Sequence, residues 1–173
     1  MMPSLESLAV FIQPFITNGA LPTAIVVGLL LTLFSKYIAR GSGRTLGLTI
    51  ATLWSLALVT GFTLRLGDAN STATTLWLLD PVLWADSVVV GANWTLNAFL
   101  FLPAGFTLAM FLRSPVRSVL ILAFASFLIE TVQQVTAVGV PDPSDFVANT
   151  SGALLGSLVA AVLLVIRRLA RRR

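Results

Sequence analysis

Five stretches of this chain are long and apolar enough to cross a lipid bilayer as helices, and nothing else in the sequence limits the fold as strongly. The hydrocarbon core is roughly 30 Å thick, so a helical span needs about 20 mostly apolar residues. The stretches fall at 20–38, 45–64, 93–112, 116–138 and 143–166, the last starting at Pro143 or Ser144. Composition agrees: the chain is 57% hydrophobic and 10% charged, where a soluble domain carries about 25% charged residues. The expected fold is all-α, a polytopic membrane helix bundle of about five transmembrane helices.

The connections are of two kinds. Short basic turns, 40–44 and 113–117, join spans one to two and three to four as helical hairpins. The 65–92 loop is longer and holds Trp77 and Trp84 among apolar neighbours. Such a segment either lies in the membrane interface, where tryptophan is favoured, or packs as an ordinary apolar loop on the helix ends. The first seventeen residues, with Pro3 and Pro14, form a second interfacial helix or lengthen span one. They lack a basic n-region, so a cleaved signal peptide is not expected.

Charge sets the expected orientation. Lys36, Arg40 and Arg44, then Arg113 and Arg117, then Arg167, Arg168, Arg171, Arg172 and Arg173 all fall on one side of a five-span topology. Arg65 alone falls on the other, together with Glu6, Asp68, Asp80, Asp86, Asp142 and Asp145. Basic residues favour the cytoplasm, which places the N-terminus outside and the C-terminus inside a multi-pass plasma-membrane protein. The basic residues thus serve topology, and the net charge of +4 does not indicate a nucleic-acid partner. The terminal arginines read as a topology anchor or as a contact for anionic lipid. With no Cys and no His, disulfides, thiol chemistry and the usual zinc ligands are excluded, and no cofactor is implied.

One carboxylate breaks the apolar pattern. Glu130 sits well inside the fourth span, where an acid costs roughly 2.5–3.5 kcal/mol on insertion scales. At a rise of 1.5 Å per residue it lies about 12 Å below residue 138 at the outer end. Gln133 and Gln134 share its helix face at i+3 and i+4. Asn97 lies about 6 Å inside span three, and Asp145 stands at the mouth of span five with Asn149 one turn deeper. Three helices therefore place polar groups in the outer half of the membrane. Gly152 and Gly156 form a G-x-x-x-G pattern one turn below Asn149, which permits a close helix contact with span three or four. Pro103 and Gly105 can kink span three and free its carbonyls. Buried polar groups of this kind act either as hydrogen-bonded glue between helices or as a functional site. No Lys or Arg lies at the depth of Glu130, so a neutral acid, a bound cation or a cationic ligand group would accompany it.

At these residues the chain resembles the VanZ-like membrane protein family. Asn97 to Phe106 is similar to the family's N-x-x-x-F-x-P-x-G, Glu130 and Gln133 to its E-x-x-Q, and Asp142 to Gly156 to its D-x-x-D-x-x-x-N-x-x-G-x-x-x-G. The resemblance runs from about Thr45 to Ile166. It implies a four-helix domain over 45–166, preceded by an N-terminal interfacial segment and an additional helix over 1–44, and followed by a basic cytoplasmic tail over 167–173. It makes Gln133, rather than Gln134, the matched glutamine. The family often carries an arginine where this chain has Gly139. The resemblance implies a small protein of the cell envelope, and the founding member is associated with low-level resistance to the lipoglycopeptide teicoplanin.

Three functions are open on these residues. In the first, a non-catalytic protein binds an amphiphile at the outer leaflet: a lipid, a lipid-linked cell-wall intermediate or an antibiotic's acyl tail. Asn97, Glu130, Gln133, Asp145 and Asn149 form its ligand-binding pocket, Asp142 its rim, and the tryptophan loop its cover. In the second, an enzyme works on a lipid headgroup with Glu130 as general acid or base and Asp142 and Asp145 holding a divalent cation. Ser144, Thr131 and Ser151, however, have no adjacent base. In the third, Glu130 is the titrating group of a proton-coupled carrier, although no inverted repeat is visible. Oligomeric state is not legible in the sequence.

Overall fold

The computed structural model describes residues 19–63, 77–79, 84–85, 91–136 and 142–172. The N-terminal interfacial segment, most of the 65–92 loop with Arg65, and Gly139 lie outside the described residues. All five expected helices form: α1 Ala20–Ser42, α2 Leu46–Thr63, α3 Ala92–Leu112, α4 Pro115–Thr136 and α5 Pro143–Ala170. Each is long and apolar enough to span a membrane. α1 and α5 each run four residues beyond the expected 38 and 166.

Local chemistry sets the helix ends. α1 stops at Gly43, whose left-handed backbone (φ 64°) suits glycine, and the Arg44 N–H bonds back to the Ala39 carbonyl at 3.1 Å. α3 stops at Arg113, also left-handed at φ 53°. Ser114 and Pro115 then start α4, with the Arg117 N–H donating to the Ser114 hydroxyl at 3.4 Å. α5 opens on Asp142, whose carboxylate accepts the Ser144 N–H at 2.7 Å, followed by Pro143, which needs no N–H partner in the first turn.

The helices pack in an up-and-down order, with α3 and α5 at the centre and α1 at the edge. α3 and α5 run parallel: Gly152 lies against the Ala98 carbonyl and Gly156, one turn on, against the Leu102 carbonyl. Gly105 of α3 approaches the Ala153 backbone in the same way. Pro103 stays within a continuous α3. Val59, Phe101, Ala104, Leu108, Leu122 and Ala153 form the core between α2, α3, α4 and α5. Leucine, valine and phenylalanine side chains stay exposed along α1, α4 and α5, including Leu33, Phe34, Phe124 and Leu158. That exposure is what a lipid solvent permits.

α1 touches mainly α2, through small residues spaced four apart at Ala20, Ala24 and Gly28, with Ser35 and Ala39 continuing the stripe. The Trp54 ring fills the space beside Gly28, and its indole N–H donates to the Thr32 hydroxyl at 3.1 Å. Trp54→Phe loses that bond and trims the part of the indole that lies against Gly28. It is expected to destabilise the hairpin by about 1 kcal/mol, read as a lowered thermal midpoint in detergent. An unchanged midpoint would show that the bond holds nothing.

Charge is segregated by end. Among the described residues every Lys and Arg lies at or beyond the end formed by the α1–α2 turn, the α3–α4 turn and the α5 C-terminus. The described acids Glu130, Asp142 and Asp145 all lie at the opposite end. α5 continues past the bundle, and 165–172 are exposed, including Arg167, Arg168, Arg171 and Arg172.

Candidate functional site

The acidic end is built on a four-residue rhythm in α4. Ser118, Leu122, Ser126 and Glu130 are its buried residues, and that spacing keeps them on one face. The face looks at α3 and α5. Ser118 donates to the Gly105 carbonyl of α3 at 3.0 Å, and Ser157 of α5 reaches the same oxygen at 3.2 Å. Two turns toward the acidic end, the Ser126 hydroxyl accepts from the Asn149 amide at 3.0 Å. One turn further, Glu130 is 1% exposed, and its carboxylate accepts the Asp142 N–H at 2.9 Å. Glu130 lies six residues, about 9 Å, from the end of α4.

The other candidates close around this column. The Asn97 amide of α3 donates to the Asp145 carboxylate of α5. Gln133 donates to the Thr63 carbonyl at 3.0 Å, meeting one of the carbonyls that the last turn of α2 leaves without an intrahelical donor. Gln134 accepts the Trp77 N–H at 3.3 Å. Trp77 is 2% exposed, stacked on Trp84 with centroids 5.9 Å apart and flanked by Phe127 of α4 and Phe146 of α5. Of the two readings of the tryptophan loop, the packed one describes Trp77.

The structure thus gathers Asn97, Glu130, Gln133, Asp142, Asp145 and Asn149 at one end, and each makes a bond to another element or, for Asp142, caps its own helix. These bonds leave atoms over. Asn149 is 1% exposed, yet its Oδ1 has no hydrogen-bond partner. The Oε1 of Gln133, the Thr150 hydroxyl and the Trp94 indole N–H are also buried and unpaired. A buried polar atom without a partner costs roughly 1–3 kcal/mol, so several at one end point to water or a ligand meeting them. Among the described residues no group of three acidic side chains converges as a metal ion would require.

Sequence reasoning missed Ser126, which holds Asn149, and Ser118 with Ser157, which share the Gly105 carbonyl. The signal was present: 118, 122, 126 and 130 recur at four, and two of them are serine.

A family model described as VanZ/LLP1 matches residues 20–165. The matched stretch takes in α1, ahead of Thr45, where the sequence alone starts the resemblance. No curated protein and no solved structure matches the chain.

Proposed function

The chain belongs to the VanZ/LLP1 family and is a multi-pass membrane protein, and from that premise we propose that its acidic end binds an amphiphile presented at the outer leaflet. The observation that carries the reading is Asn149: a fully buried amide, bonded through one atom to Ser126 and unpaired at the other. Gln133 repeats the pattern, with its Nε2 bonded to α2 and its Oε1 unpaired. Both leave an acceptor oxygen, beside an end that also holds Glu130, Asp142 and Asp145. Acceptor oxygens and carboxylates repel a bare phosphate and suit a headgroup rich in donors, either an amine or sugar hydroxyls. The acyl portion would lie along the exposed apolar faces of α4 and α5. A lipid, a lipid-linked cell-wall intermediate and an acylated glycopeptide such as teicoplanin share this combination of donor-rich head and apolar tail. A role in glycopeptide resistance would act through that binding.

The charge segregation supports the orientation proposed with it: basic end in the cytoplasm, acidic end and N-terminus outside. Catalysis on a headgroup has less support. Of the α4 hydroxyls near Glu130 along the helix, Thr131 donates to the Phe127 carbonyl at 2.8 Å and Ser126 accepts from the Asn149 amide, so neither is paired with a base.

Glu130→Gln tests the proposal, because it keeps an acceptor for the Asp142 N–H and removes the acid that would meet a cationic donor. Native mass spectrometry of the purified protein should find a co-purifying amphiphile bearing amine or hydroxyl donors. Its occupancy should fall about tenfold or more in Glu130→Gln, as for a lost charge-assisted bond, while the thermal midpoint holds. Equal occupancy in the two proteins refutes the reading.

A further inference from the structure

The basic end carries a feature that neither topology nor the acidic pocket accounts for. The α1–α2 turn brings Arg44 over the ring of Phe111 in α3, with its guanidinium carbon 5.9 Å from the ring centroid. A cation within about 6 Å of a ring centroid is attracted to the ring face. The Nε of Arg44 is buried and has no hydrogen-bond partner. Arg113, held in its left-handed cap conformation two residues after Phe111, stands close enough for the two charges to repel. Desolvation and this like-charged neighbour hold the Arg44 guanidinium below its usual range. Among the described residues no Asp or Glu lies at this end.

A topology signal needs positive charge near the cytoplasmic surface and nothing more. Exposed and mutually distant arginines, such as those after α5, would supply it. Enclosing one guanidinium nitrogen without a partner and setting a second guanidinium beside it are unfavourable steps unless an anion joins them. The N-terminus of α4 begins at Pro115, two residues after Arg113, and adds the positive end of a helix dipole.

We propose that Arg44 and Arg113 form a binding site for a phosphate group, beside the ring of Phe111. Arg44 offers its two Nη groups as a fork to two phosphate oxygens, and Arg113 closes the other side. The phosphate could belong to an anionic lipid of the adjoining leaflet or to a free phosphate ion. The site is independent of the acidic pocket, at the other end of the bundle.

The test uses the full chain in a non-ionic detergent. Dioleoyl phosphatidic acid is titrated against dioleoyl phosphatidylcholine, and inorganic phosphate serves as competitor, with bound lipid read by native mass spectrometry. Wild type should retain phosphatidic acid in preference. Arg44→Gln, Arg44→Lys and Arg113→Gln should each lose about tenfold in apparent affinity, since hydrogen bonds to charged groups carry that much. The double substitution Arg171→Gln/Arg172→Gln should stay within about twofold, as screened exposed charges do. Arg44→Lys separates a shaped site from general attraction, because lysine keeps the charge and loses the fork. Competition by inorganic phosphate would identify a free-anion site and its failure a lipid site, both within the proposal. Equal losses in all variants, full binding by Arg44→Lys, or no retention of either probe by wild type would overturn it. Unchanged circular dichroism melting in Arg44→Lys guards against loss of fold.

Discussion

Gly152→Val should leave little folded protein in a detergent extract. A Cβ at 152 would overlap the Ala98 carbonyl oxygen and stand 2.8 Å from its carbon. Both obstacles are helix backbone, and no rotamer change moves them. Gly156 meets the Leu102 carbonyl one turn on, and Gly105 meets Ala153 from the opposite side, so α3 cannot tilt away from one contact without losing the others. Overpacking costs about 1–3 kcal/mol where side chains can yield, and here the upper end or beyond is expected. Separating α3 from α5 would also open the core around Phe101 and Ala153 and draw Asn97 from Asp145. Size-exclusion chromatography with fluorescence detection reads the outcome. Leu155→Val on the exposed face is the matched control and should give a normal monodisperse peak. A normal peak from Gly152→Val would mean that the parallel α3–α5 contact is not what holds the bundle.

Glu130→Ala should be the second most damaging change, for a different reason. Alanine removes the acceptor of the Asp142 N–H and leaves a void beside Ser126. A part-buried donor left without its partner and a cavity together give a loss of about 2–3 kcal/mol. The damage should be local: amide exchange at Asp142 and through the first turn of α5 should quicken, because Asp142 is the residue that caps that helix. Glu130→Gln retains an oxygen in the same place and should differ from wild type by about 1 kcal/mol or less. The pair separates the two jobs proposed for Glu130: structure should follow the acceptor, and ligand binding the acid. If the alanine variant melts with wild type, the α4–α5 clamp is not a determinant of stability.

Much of this was legible in the sequence. Glu130 was visible as a carboxylate in an apolar run, and Asp145 and Asn149 as a polar pair above a glycine repeat. Gln133 and Asn97 were placed at the same end by depth alone. Other particulars were not legible. Trp77 reads equally well as an interfacial anchor, and only the positions of Phe127 and Phe146 show it as a buried plug. The Ser126–Asn149 bond joins residues 23 apart, and the small-residue stripe of α1 was hidden inside a span that otherwise looked like uniform apolar sequence.

The apolar surroundings, the number of spans and the sorting of charge between the two ends follow from the order of residues alone. Those properties are sums over single residues: the transfer free energy of each side chain and the preference of each arginine for one leaflet. That α3 and α5 meet backbone to backbone, that Glu130 clamps the start of α5, and that Asn149 and Gln133 each keep one atom unpaired emerges only in the packed bundle. Those depend on how far each helix is rotated and shifted against its neighbours. Rotation and register are fixed jointly, where Gly105, Gly152 and Gly156 let two backbones meet, and no residue carries that information alone.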